Sequence, residues 1–168
     1  MITEPWLEGR GPLGFLPSIL FADRRPVLVV ILAFVLTIAG SFVLGSVVTQ
    51  VAGDGVGPDL GKAPPVVLLI GLALVSPLIE TLLMGGIIDL LRRWIGAWQA
   101  AVASAAIWGV LHSLLASWWG AVIWWPFLIF SIVWLTWRPR GFWIATALVT
   151  SVHVLQNLGP AIAIALDQ

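Results

Sequence analysis

Four polar side chains interrupt stretches that are otherwise too apolar for water. They are Glu80 in SPLIETLLMGG (76–86), His112 in WGVLH (108–112), and His153 and Asn157 in HVLQN (153–157). His112 and His153 are the only two histidines in the chain. A carboxylate can take a proton from water, and an imidazole can orient that water. Imidazole and amide N–H groups can also meet a developing oxyanion. The set therefore holds a base, a partner for it and hydrogen-bond donors, but residue types alone do not name a reaction.

The elements that position these residues follow from composition. The chain has 168 residues, 60% hydrophobic and only 10% charged, where a soluble domain carries about 25% charged residues. The expected fold class is an all-α integral membrane protein, a bundle of about five transmembrane helices. Residues 1–25, broken by Gly9, Gly11, Pro12, Gly14 and Pro17, form a mostly irregular cytoplasmic or interfacial arm. Within it Phe15, Leu16, Ile19, Leu20 and Phe21 are placed for a short interfacial turn. Residues 26–168 form the bundle, with spans at about 27–52, 65–90, 96–116, 121–137 and 142–166. The loop GDGVGPDLGKAP (53–64) carries Asp54, Asp59 and Lys62, and the last span stops at Asp167.

Arg24/Arg25, Arg92/Arg93 and Arg138/Arg140 fall in alternate connections. The positive-inside rule then puts the N-terminus in the cytoplasm and the C-terminus outside. Trp94, Trp98, Trp134, Trp137 and Trp143 are expected at the inner boundary, and Trp118 and Trp119 at the outer one. Asp89 lies close enough in sequence to Arg92 and Arg93 for an interfacial ion pair. The absence of cysteine excludes disulfides and thiolate chemistry, and a net charge of zero offers no basic field for nucleic acid.

Depth brings the four polar residues together. At about 1.5 Å per residue, Glu80 lies roughly 18 Å from Arg92, His153 about 20 Å from Arg140, and His112 about 24 Å from Gly96. Asn157 follows His153 by one turn and shares its helix face. Ionisable groups at such depth normally face the bundle interior and mark function. The bland alternative is that each merely hydrogen-bonds a neighbouring helix.

Glutamate on one span, aromatic-x-x-x-His on the next and a later His-x-x-x-Asn resemble the CPBP (Abi) intramembrane proteases, relatives of the type II CAAX prenyl endopeptidases. The family's EExxxR motif aligns with Glu80, FxxxH with Trp108 to His112, and HxxxN with His153 to Asn157. Over roughly residues 65–160 the resemblance implies a peptide hydrolase. Glu80 with His112 would activate water, and His153 and Asn157 would stabilise the oxyanion, in a polar cavity open toward one membrane face. Trp108 is a supporting residue, as is Thr81, which stands where the family has its second glutamate. Gly85 replaces the motif's arginine, and losing both charged groups together leaves no orphan charge.

The family is often called a metalloprotease, and two histidines with a glutamate can bind zinc. Here that would leave no second intramembrane carboxylate as base, and no HExxH is present. The expectation is therefore a metal-free site without cofactor. The expected partners are membrane lipid and a peptide or protein substrate in or near the membrane, with a bacterial inner membrane as the setting. A catalytically degenerate scaffold or immunity-type binding protein, and a small transporter, remain as alternatives.

Overall fold

The structure, a computed structural model, describes residues 5–53, 57–58 and 64–166. Asp54, Asp59, Lys62 and Asp167 lie outside the described residues. The bundle is built of α1 (Pro26–Ala52), α2 (Pro65–Leu91), α3 (Ala97–Ser113), α4 (Gly120–Trp137) and α5 (Phe142–Leu166). Proline opens both α1 and α2, where its missing N–H costs nothing and its fixed φ suits the first turn. The described elements are all helical, and α1, α2, α4 and α5 are long and apolar enough to cross a membrane.

α3 is shorter than expected from sequence, with 17 residues in place of a span over 96–116. Its last turn gives way at Leu114, and backbone bonds from Leu115 and Ala116 to the His112 carbonyl close the turn that follows. Its buried residues, Ala97, Ala100, Ala101, Ser104, Ala105, Trp108, Gly109 and His112, repeat every three or four positions. This narrow stripe of mainly small side chains lets α3 lie close to α4. At the crossing, a Cβ on Gly120 would sit 1.8 Å from the Gly109 carbonyl oxygen, so only glycine fits there.

α4 is the central rod. Every residue from Pro126 to Trp137 is buried. Of its most apolar window 72% is buried, against 17–22% for the other three long helices. Trp134 and Trp137 are buried in the core instead of facing outward, because α4 is enclosed by its neighbours at that level. Trp94 and Trp143 are exposed as a boundary belt requires.

The arm differs from an irregular segment. It makes two 3₁₀ turns, Gly11–Phe15 and Ser18–Phe21, and buries Leu13, Leu16, Leu20 and Phe21 in the bundle core, while Phe15 points away. Trp6 Nε1 donates to Thr136 Oγ1 (2.9 Å), and Thr136 Oγ1 donates to the Leu20 carbonyl (2.7 Å). Asp23 pairs with Arg140 at 2.5 Å. Asp89 does not pair with Arg92 or Arg93. It binds Arg138 at 2.8 Å and accepts from Trp134 Nε1, while Arg92 donates to the Ile95 carbonyl. The reason is helix termination: α2 ends at Leu91, so the following arginines leave its face and the end of α4 comes alongside instead.

Candidate active site

α2 carries Glu80 on a helix that is not uniform. Between Gly71 and Val75 it runs as a π-segment, and Ser76 N–H donates to the Gly71 carbonyl five residues back. The next bond of that ladder would run from residue 77 to the Leu72 carbonyl, but residue 77 is proline and has no N–H. Asn157 of α5 fills the gap, donating from Nδ2 to the Leu72 oxygen at 3.1 Å. One turn further along α2, Ser76 Oγ donates to Glu80 Oε1.

The other carboxylate oxygen faces two imidazoles. Glu80 Oε2 lies 3.7 Å from His153 Nε2 and 4.0 Å from His112 Nε2. Both separations exceed a direct hydrogen bond. Catalytic contacts of this kind commonly tighten when substrate binds. His112 Nδ1 lies 2.8 Å from the Trp108 carbonyl, which can only accept, so Nδ1 bears the proton. In the neutral ring Nε2 is then a lone-pair acceptor aimed at the carboxylate. His153 is buried between Phe127 and Phe130, and its Nδ1 has no partner among the described residues. Placing its proton on Nε2 avoids burying an unmet N–H, so His153 presents a donor where His112 presents an acceptor.

These groups line one cavity of about 360 Å³. Its walls also include Trp119, Pro126, Phe127, Phe130 and Pro160, and it extends toward Pro58 in the α1–α2 connection. Glu80, His112, His153 and Asn157 all contribute to it, although the amide of Asn157 is held by Leu72. Trp108 is buried beside the site, stacking on Phe127 with centroids 4.5 Å apart. Thr81 and Gly85 are not among the residues lining the cavity. Thr81 is fully buried without a partner for its hydroxyl among the described residues. A Cβ on Gly85 would meet the Trp134 ring at 2.3 Å.

Three polar wall residues escape the sequence argument: Ser41, Ser76 and Gln156. Ser76 was open to discovery, because it precedes Glu80 by one helical turn. Gln156 donates to Ser41 on α1 at 3.2 Å, a pairing across 115 residues with no local signature.

Zinc would need three donors within about 2.0–2.2 Å of one point. Among the described residues no three His, Cys, Asp or Glu side chains are so arranged. His153 Nδ1 also lacks the carbonyl or carboxylate that orients a metal-bound imidazole. Comparison with protein-family models, with curated proteins and with solved structures gives no match to this chain.

Proposed function

We propose that this chain is an intramembrane endopeptidase of the CPBP/CAAX-protease type. The observation that carries the reading is one carboxylate oxygen, Glu80 Oε2, set between His112 Nε2 and His153 Nε2 in a cavity walled mainly by apolar side chains. A water entering the cavity gives a proton to Glu80 while its oxygen adds to the scissile carbonyl carbon. His112, whose Nε2 accepts, orients that water. His153 Nε2–H meets the oxyanion. When the tetrahedral adduct collapses, the C–N bond breaks and Glu80 returns the proton to the leaving amine.

No lysine or arginine occurs among the described residues lining the cavity. With the arginine-bearing connections inside, the cavity extends toward the outer face of a bacterial inner membrane, and the arm lies in the cytoplasm. The second reading is a catalytically silent scaffold. It draws on Thr81, whose buried hydroxyl meets no partner, and on Gly85, whose place in the motif is closed off by Trp134.

The test is purified full-length protein in liposomes with a library of single-span membrane peptides, wild type against Glu80→Gln. Cleavage by the wild type that disappears in Glu80→Gln supports the protease. Equal cleavage by both would rule out Glu80 as the base, and none by either supports the scaffold.

A further inference from the structure

Serine and threonine inside a helix ordinarily turn their hydroxyl back to a carbonyl of the preceding turn. In this chain Thr37, Ser46, Ser131, Thr146 and Ser151 all do so. Ser76 does not. The carbonyl four residues before it is that of Leu72, which already accepts from Asn157 Nδ2. The Ser76 hydroxyl is directed to Glu80 Oε1 instead.

We propose that Ser76 is the positioning residue for Glu80. A glutamate side chain has three rotatable bonds, and without a tether its carboxylate would not stay oriented toward the two imidazoles. Fixing Oε1 on Ser76 leaves Oε2 as the oxygen presented to His112 on α3 and His153 on α5. Ser76 thereby supplies from the preceding turn an orienting contact that does not depend on Thr81 or Gly85, neither of which lines the cavity. The inference rests on reading Glu80 as the base, but its test does not need a substrate.

The two histidines are the only ones in the chain, so ¹⁵N-histidine labelling of the full protein in detergent micelles reports on these two rings alone. Among the described residues they are also the only ionisable groups besides Glu80 that line the cavity. Their pH titrations are compared in wild type, Ser76→Ala, Ser76→Thr, Ser76→Val and Glu80→Gln, with folding checked by circular dichroism and gel filtration. Loss of the hydroxyl should move at least one histidine midpoint by about half a pH unit or more, as expected when a neighbouring charge is reoriented. Ser76→Thr should restore the wild-type curve.

Threonine and valine have the same shape, so if Ser76→Ala does not fold, the Thr/Val pair decides. Midpoints unmoved by loss of the hydroxyl would overturn the proposal. So would midpoints unmoved by Glu80→Gln, which would show that the carboxylate is not coupled to the rings. A chain that cleaves no peptide yet shows the Ser76-dependent titration defeats the protease reading and leaves this one standing.

Discussion

His112 and His153 approach the same carboxylate oxygen but are held differently, and that difference separates their roles. His112 is fixed by a carbonyl one turn back on its own helix; His153, whose Nδ1 has no partner among the described residues, is fixed by the aromatic rings around it. His153→Ala should lower the cleavage rate by about 10²–10³, the usual cost of one oxyanion donor, with folding retained. Steady-state rates on the best peptide substrate check this. The two motif departures on α2 make a second residue-scale prediction. Glycine at 85 is held by contact with Trp134, so restoring arginine there drives a long side chain into a filled core. Gly85→Arg should cost several kcal/mol, at the exceptional end of single substitutions. Thr81→Glu alone buries an unpaired carboxylate and should cost about 3–5 kcal/mol. The double substitution should not recover stability, because Trp134 still occupies the space. Thermal unfolding in detergent checks all three, and a fully stable double variant would mean that α4 can move aside.

At the scale of the element, the five rods were legible because each follows from an apolar run closed by glycine, proline or arginine. The register of α2 was not. Its π-segment depends on Pro77 withholding a donor and on Asn157, 85 residues away in the chain, supplying one. No local pattern states that pairing. The centrality of α4 was equally hidden, since α4 is less apolar than α1 yet far more buried. In a membrane an apolar surface faces lipid and neighbouring helices alike, so hydropathy does not separate inside from outside. The Asn157–Leu72 bond makes a testable cycle. Asn157→Leu leaves a partly buried carbonyl unmet and should cost about 1 kcal/mol. Pro77→Ala gives residue 77 an N–H of its own. The pair Asn157→Leu/Pro77→Ala should therefore regain most of the loss, a coupling that a double-mutant cycle of unfolding free energies measures. Strict additivity would show that the amide does not serve the proline break.

For the whole molecule, the arm and the cavity sit at opposite ends of the bundle, and each end can be addressed separately. The arm is held by buried Leu13, Leu16, Leu20 and Phe21 and by the Asp23–Arg140 pair. The Arg140 guanidinium hydrogen-bonded to Asp23 keeps that carboxyl below its ordinary value of 3.8. A depressed carboxyl contributes stability above its unfolded pKa and loses it as pH falls through the folded one. The arm should therefore stay equally docked from neutral pH down to about pH 4 and loosen only below that. The effect should stay under about 1 kcal/mol, because the pair is partly exposed. Pepsin cleavage within the arm, followed from pH 5 down to pH 2, checks this, and Asp23→Asn should abolish the acid-dependent part. The far end is open to a labelling test, because the sequence has no cysteine to remove first. A single cysteine at Pro58, on the cavity wall, should react with a membrane-impermeant maleimide added outside intact cells. One at Arg93 should react only after the membrane is opened. A cysteine at Gln156, deeper on the same wall, should react from outside more slowly than Pro58→Cys, and prior modification of Pro58→Cys should slow it further in the double variant. Labelling of both Pro58→Cys and Gln156→Cys from the cytoplasmic side alone would reverse the orientation and open the cavity to the cytoplasm.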